Sequence, residues 1–186
     1  YLYDHQYQTL TLDEFYECYT TNKQFPKKSI VLTFDDGYAS INTIVKPILK
    51  QFNFQASCFV IGKHCIDDKE QFVKLKDMIN DETISFYSHS YNLHFHSDKK
   101  YEEVVNDINS MKEIVDTQYY AYPFGDYNDE YIKAIKDNNF KMAFTFGPKK
   151  EHRKADLSDD NYKIPRLNIS KDMPMYKFIL RLILPM

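Results

Sequence analysis

The sequence predicts a single α/β domain over residues 1–186, with strands that run parallel. Short apolar runs rich in β-branched and aromatic residues alternate with amphipathic helical patterns along the chain. Such alternation is typical of parallel sheets whose strands are connected by helices. A hydrophobic content of 43% and an aromatic content of 16% are those of a globular protein, and 186 residues can bury one substantial core.

Two strands and two helices are expected in the first third of the chain. A short strand at Thr9–Leu10 precedes Thr11 and Glu14, whose spacing is that of a capping box, so a helix should begin there. Ile30–Leu32 is an apolar run typical of a buried strand. A core-facing stripe with helical spacing then follows, at Ile41, Ile44, Val45, Ile48, Leu49 and Phe52.

The rest of the chain continues this alternation. Further strands are expected at Ala56–Ile61, Thr83–Tyr87, Tyr119–Tyr122, Met142–Phe146 and Ile164–Leu167. Further helices are expected at Phe72–Ile79, where the pattern is weak, at Tyr101–Val115, where it is strong, and from Asn128 or Asp129 onward. A polar loop spans Gly147–Tyr162.

The last apolar segment, Met175–Leu184, has two interpretations. It is shorter than the roughly 20 residues that a helix needs to cross a bilayer. Its dense apolar residues predict a final helix packed on the domain, which is the interpretation we favour. The alternative is a basic amphipathic helix, with Lys177 and Arg181 on one side, that lies on a membrane surface.

Charge and cysteine content exclude some classes of function. The formal net charge of −3 lacks the basic footprint of a nucleic-acid-binding domain. Cys18, Cys58 and Cys65 are odd in number and have no paired C-x-x-C spacing, so neither a disulfide framework nor a cysteine metal site is indicated. We expect free thiols, with Cys58 buried in a strand.

Two adjacent carboxylates, Asp35 and Asp36, follow the apolar strand and precede Gly37. They therefore fall at the carboxyl end of a strand, which is the edge where α/β folds build active sites. Consecutive strand residues point to opposite faces, so one carboxylate can hold a metal while the other acts as a base. An isolated Asp-Asp-Gly is more often a solvated turn.

Three of the six histidines lie close together, at His89, His94 and His96. They follow the expected strand Thr83–Tyr87, so they also lie just past a strand end. One carboxylate and two imidazoles suit a catalytic Zn²⁺, or a related divalent ion, with an open coordination position. His96 is an alternative ligand, although a place on the surface or in a substrate groove fits it better.

Three separated motifs resemble those of the polysaccharide deacetylases, the NodB-homology or carbohydrate esterase family 4 enzymes. They are Thr33–Gly37, the pair His89 and His94, and Tyr122–Gly125, and the resemblance extends from about Tyr7 to Ile169. The resemblance implies a distorted seven-stranded (β/α) barrel, here lacking its first strand. It also implies a secreted enzyme associated with the cell surface.

The resemblance implies a role for each motif. Asp35 would be the general base, and Asp36, His89 and His94 would bind Zn²⁺ or another divalent transition metal such as Co²⁺ or Ni²⁺. The backbone N–H of Phe124 would donate to the oxyanion. The remaining residues expected to line the substrate groove are Tyr91, Tyr122, Pro123, Gly125 and Tyr127, although packing explains Tyr91 and Tyr127 equally well.

Two departures from the family pattern are informative. The usual Arg before the third motif is absent, because Gln118–Tyr120 stand there, and Arg166 is the candidate to orient Asp35 instead. A cation beside that carboxylate would keep it ionised; the alternative is a surface Arg. The family's general-acid His is absent from Leu167–Ile169, and in the branch resembled here it lies upstream, so we expect an N-terminally truncated fragment.

Four residues separate His89 from His94, and Tyr122–Asn128 follow later in the chain. Together these features most resemble a branch of the family that deacetylates poly-β-1,6-N-acetyl-D-glucosamine, a biofilm polymer. The expected partner is therefore a polysaccharide substrate, with the chain acting as a monomer. One alternative substrate is peptidoglycan or chitin oligomers. Another alternative is a catalytically impaired relative that only binds carbohydrate.

Overall fold

The structure is a computed structural model, and it describes residues 1–21, 23–67, 69–93, 100–115, 118–146 and 153–183. Its strands are β1 Gln8–Thr9, β2 Ser29–Ile30, β3 Thr33–Phe34, β4 Ala56–Val60, β5 Ile84–Ser88, β6 Tyr119–Ala121, β7 Met142–Thr145 and β8 Ile164–Pro165. Its α-helices are α1 Leu12–Thr21, α2 Lys46–Gln51, α3 Gly62–Ile66, α4 Tyr101–Lys112, α5 Asp129–Asp137 and α6 Met175–Ile183.

The main sheet contains six parallel strands in the order β3-β4-β5-β6-β7-β8, and β1 pairs with β2 in a smaller parallel sheet. Arg166, just after the last strand, hydrogen-bonds to Asp35, just after the first strand. This contact shows that the sheet is curled. The two edges therefore approach each other and form a half-barrel. This confirms the expected α/β fold with a distorted barrel.

Four buried tyrosines form part of the core. Tyr119, Tyr120, Tyr122 and Tyr131 are fully buried. Their hydroxyls have partners, as buried phenols require. The Tyr119 hydroxyl donates to Asp13 at 2.6 Å, that of Tyr122 donates to a backbone carbonyl, and those of Tyr120 and Tyr131 bond to each other. Strand β6, which carries Tyr119 and Tyr120 and is followed directly by Tyr122, is thereby fixed in place.

The expected helix starts at Thr11 and Asn128 are confirmed. The Thr11 N–H donates to Glu14 at 2.8 Å, and the Glu14 N–H donates to the Thr11 hydroxyl at 3.1 Å. Asn128 accepts from the Tyr131 N–H at 2.8 Å and so caps α5. The expectation of free thiols is confirmed for Cys18, Cys58 and Cys65, all of which are buried.

Two expectations about helices are wrong. Ile41–Val45 forms a wide π-helical turn before α2, which breaks the 3.6-residue spacing and leaves Ile44 and Ile48 exposed. The segment Phe72–Ile79 contains only the short 3₁₀ turn Leu75–Asp77. Phe72 instead pairs with Tyr38 through a backbone bridge, so a tertiary contact determines its conformation.

Helix α6 packs loosely. Phe178 contacts the edge of the Tyr1 ring, and Lys154 donates to the Leu182 carbonyl at 2.7 Å. Met175, Tyr176, Leu180 and Ile183 are exposed. Within the described ranges, no helix is long and apolar enough to cross a membrane. The choice between packing and membrane contact for this segment stays a prediction.

Candidate active site

Four strands of the main sheet deliver the candidate site residues to one edge. Asp35 and Asp36 follow β3, His89 follows β5, the turn Pro123–Gly125 follows β6, and Arg166 follows β8. Because the strands are parallel, their carboxyl ends lie at the same edge of the curled sheet. Residues far apart in sequence are therefore brought together by the topology.

The backbone turns sharply after Asp35. Asp36 and Gly37 both have positive φ angles, 70° and 75°. Aspartate tolerates this left-handed conformation better than most residues, and a Cβ on Gly37 would lie only 2.7 Å from Val60 Cγ1. This turn directs the two carboxylates to different partners, Asp35 to Arg166 and Asp36 to His89.

Asp35 and Arg166 form a bidentate pair. The two terminal guanidinium nitrogens donate to the two carboxylate oxygens at 2.7 and 2.8 Å. The side chains are 24% and 12% exposed, so the pair is mostly shielded from water. Arg166 also donates to the Thr33 hydroxyl at 3.2 Å. An ionised carboxylate has about four lone-pair sites, so Asp35 keeps capacity to accept a further proton or hydrogen bond.

The contacts of His89 indicate its tautomer. Its Nδ1 lies 2.7 Å from the Ala121 carbonyl oxygen, and the side chain is only 2% exposed. A carbonyl can only accept, so Nδ1 carries the proton in this bond. The Nε2 atom faces Asp36 Oδ1 at 3.6 Å. A histidine held in this way by a backbone carbonyl is a common arrangement for a metal ligand.

The Asp36 and His89 pair fits a shared metal ion. Two ligand atoms on a tetrahedral Zn²⁺ lie about 3.3 Å apart, given bonds of roughly 2.0–2.1 Å, and the observed 3.6 Å is close to that separation. His94 and His96 lie outside the described residues. Among the residues that are described, no group of three potential ligands comes together. The full ligand set therefore stays a prediction.

The third motif forms a strained turn. Phe124 has φ 56° and ψ 11°, an uncommon conformation for a bulky residue. A Cβ on Gly125 would overlap the Phe146 carbonyl, so only glycine fits there. The Gly125 carbonyl accepts from the Thr145 hydroxyl at 2.8 Å, which fixes the turn to β7. Backbone strain of this kind is common at functional sites, but the role of the Phe124 N–H as a donor stays a prediction.

The residues expected to bind substrate differ in how deeply they are buried. Tyr122 and Pro123 are buried, so little of either side chain faces solvent, and their role in substrate binding stays a prediction. Tyr91 and Tyr127 are partly buried against core clusters, which agrees with the packing alternative. The Phe124 ring, in contrast, is half-exposed.

An exposed ring that the sequence analysis missed is Tyr38. It is half-exposed and stacks on the buried Phe72, with 5.1 Å between ring centroids. His64 also stacks on Phe72, at 4.1 Å, rather than standing in solvent. Burial, with a smaller effect from Lys69, lowers the pKa of His64, while Asp36 partly opposes this shift. The available signal for Tyr38 was its position directly after the Asp-Asp-Gly motif.

A family model described as polysaccharide deacetylase matches residues 22–143. The chain belongs to the polysaccharide deacetylase family. A relative from Staphylococcus epidermidis, named poly-beta-1,6-N-acetyl-D-glucosamine N-deacetylase, is 31% identical over 90% of this chain. The match spans 63% of that relative's own length.

Solved structures of deacetylases share the fold. The Streptococcus pyogenes deacetylase PplD, in complex with acetate, has a TM-score of 0.85 at 22% identity, and the match covers 97% of this chain and 82% of that one. IcaB from Ammonifex degensii has a TM-score of 0.74 at 21% identity, covering 92% of this chain and 80% of that one. At these identities the similarity concerns the fold alone.

Proposed function

We propose that this chain carries the active site of a metal-dependent N-deacetylase that acts on poly-β-1,6-N-acetyl-D-glucosamine and releases acetate. The observation that carries the proposal is the juxtaposition at one sheet edge of two differently partnered carboxylates. Asp35 is held by Arg166, whereas Asp36 faces the Nε2 atom of His89. The name of the Staphylococcus epidermidis relative supports this choice of substrate.

In this proposal Asp36 and His89, with His94 by resemblance to the family, hold a divalent ion such as Zn²⁺, Co²⁺ or Ni²⁺. When bound, the ion supplies a Lewis acid that activates water and polarises a carbonyl. The residues of the chain provide the remaining steps. Asp35 accepts a proton from the attacking water, and Arg166 keeps Asp35 ionised and oriented for that transfer.

Attack of water on the acetamide carbon places negative charge on the carbonyl oxygen. The Phe124 N–H would donate to this oxygen, because a fixed donor stabilises charge that develops in the transition state. Cleavage of the C–N bond then needs a proton on the leaving nitrogen. The family assigns that step to a histidine that has no counterpart at Leu167–Ile169.

The exposed rings of Tyr38 and Phe124 support a carbohydrate substrate. Tyr38 follows the Asp35–Gly37 motif in sequence and Phe124 lies in the turn after β6, and the axial C–H groups of a β-linked pyranose form an apolar face that packs on such rings. Each deacetylation would leave a cationic glucosamine unit on the polymer. A secreted, cell-surface location fits this substrate, and contact of α6 with a membrane remains a proposal.

Acetate release and metal binding test the proposal together. Oligomers of N-acetylglucosamine with β-1,6 or β-1,4 linkage are compared as substrates, and zinc stoichiometry is measured by competition with a chelating dye. Asp36→Ala and His89→Ala should lose zinc, whereas Asp35→Asn should keep zinc and lose activity, because it removes a base and not a ligand.

His5→Ala, in an exposed turn, is the matched control for His89→Ala. Preference for β-1,4 oligomers would redirect the proposal to peptidoglycan or chitin. Binding of oligomers without acetate release would indicate a carbohydrate-binding relative. Zinc bound at full stoichiometry by the Asp36→Ala/His89→Ala double variant would refute the metal assignment.

A further inference from the structure

Asp107, on α4, is a buried carboxylate that does not follow a strand. It accepts hydrogen bonds from the backbone of the segment after His89. The Asp107 side chain is only 7% exposed. Its Oδ2 accepts from the Tyr91 N–H at 2.7 Å, and its Oδ1 accepts from the Asn92 N–H at 2.8 Å. A charge buried to this extent is costly unless it is fully paired, so a specific interaction must compensate.

The backbone of residues 90–92 has a conformation that suits binding of an anion. Ser90 has φ 71°, and the successive N–H groups of Tyr91 and Asn92 converge on one carboxylate. Successive backbone N–H groups after a left-handed residue form a concave anion site. A neutral side chain could not accept both bonds equally well, because charge-assisted hydrogen bonds are roughly twice as strong as neutral ones.

The opposite side of the same segment is tied to β4 and α3. The His89 N–H donates to the Val60 carbonyl at 2.9 Å, and the Gly62 N–H donates to the Ser90 carbonyl at 3.1 Å. The Lys63 N–H donates to the Tyr91 carbonyl at 2.9 Å. Residues 89–92 are therefore fixed between this backbone and Asp107.

We propose that Asp107 is a positioning residue for the metal site. By fixing the chain two residues after His89, it sets the direction in which the His89 Nε2 faces Asp36, and it fixes Asn92, from which the chain continues toward His94. This inference rests on the proposed metal-dependent function. The inference gives Asp107 no place among the ligands: its two oxygens accept from the Tyr91 and Asn92 N–H groups, and it acts through that backbone.

The test is the substitution Asp107→Asn, measured for zinc affinity and for amide hydrogen exchange. An asparagine has one oxygen, so its NH₂ group must face one of the two N–H groups, and one bond is lost. We expect the zinc Kd to rise ten- to a hundredfold, as for other groups that orient metal ligands. In the metal-free protein the Tyr91 and Asn92 amides should exchange faster.

Glu102→Gln is the matched control, because Glu102 is an exposed acid on the same helix. Asp107→Glu is the second variant, in case Asp107→Asn does not fold. It keeps the charge but displaces the carboxylate by one methylene, so its zinc Kd should fall between those of the wild type and Asp107→Asn.

A folded Asp107→Asn or Asp107→Glu protein with wild-type zinc affinity would overturn the inference, even if its metal-free form were less stable. Unchanged exchange at Tyr91 and Asn92 in Asp107→Asn would also overturn it. Failure of the wild-type protein to bind Zn²⁺, Co²⁺ or Ni²⁺ would instead refute the proposed function, and the positioning role would be refuted with it. The two failures are thus distinguishable by the wild-type titration.

Discussion

Replacing Arg166 by Met is expected to lower stability and activity together, because Arg166 holds the proposed base. The change removes two bonds to Asp35, at 2.7 and 2.8 Å, and one to Thr33, at 3.2 Å. It also removes the cationic contacts with the rings of Phe59 and Phe146. The Asp35 carboxylate is left partly buried without its cation.

The expected loss of stability in Arg166→Met follows from the burial of the ion pair. Breaking a fully buried ion pair by removing one partner costs about 3–5 kcal/mol. Asp35 is 24% exposed, so solvation of its carboxylate offsets part of this cost, and we expect a loss of stability of about 2–3 kcal/mol. For a domain of this size the melting temperature should then fall by about 4–12 °C. Activity should fall roughly a hundredfold, near the lower end of what a positioned base contributes.

A double-mutant cycle isolates the pair. Urea unfolding is measured for the wild type, Arg166→Met, Asp35→Asn and the double variant, with Arg181→Met as the control. Arg181 bonds only a backbone carbonyl among its described contacts, on an exposed helix. The double variant should be more stable than the sum of the single losses implies, by about 2 kcal/mol. A coupling energy below about 0.5 kcal/mol would refute the reasoning.

Two further predictions concern stability in acid and substrate affinity. Burial alone would raise the pKa of Asp81, but the bonds from Lys46 and from the Ile84 and Thr83 N–H groups outweigh it and lower that pKa to about 2. Because the folded pKa is depressed, this stabilisation is present above the unfolded pKa of about 3.9 and is lost as pH falls toward 2. In urea unfolding, Asp81→Asn should therefore cost about 1–2 kcal/mol at pH 6 and about a third of that at pH 2.5, whereas a cost that does not depend on pH would contradict the assignment. Tyr38→Ala should raise KM for β-1,6 oligomers about five- to thirtyfold, the equivalent of losing about 1–2 kcal/mol of ring contact. Tyr38→Phe should retain the wild-type KM, and a fall in kcat at constant KM would argue against a binding role.

Much of the fold was predictable because its signals are local. The Thr11 and Glu14 capping box and the Asn128 cap depend on residues within one turn, and both form as expected. The pattern at Phe72–Ile79 failed for the opposite reason. Phe72 pairs with Tyr38, which is distant in sequence, and this contact overrides a weak helical pattern.

The site was predictable only in part. The carboxylates, His89 and Arg166 could be recognised because each follows a strand, and parallel strands end at one edge. Asp107 could not be recognised in this way, since an acidic residue in an amphipathic helix is usually solvated. Asp107 is buried against the segment that follows β5, where the Tyr91 and Asn92 N–H groups need an acceptor. No local pattern in α4 contains that information.

The position of Arg166 also links catalysis to the integrity of the sheet. Strands β3 and β8 are the two edges of the main sheet, and in the described part of the chain no backbone ladder joins them. The Asp35 and Arg166 pair connects these edges. Thr33 of β3 and Ile164 of β8 also line a common, largely apolar cavity. A change at the proposed base therefore acts on the closure of the half-barrel as well as on proton transfer. Loss of activity in Asp35 variants can be assigned to the base only when unfolding is measured on the same protein.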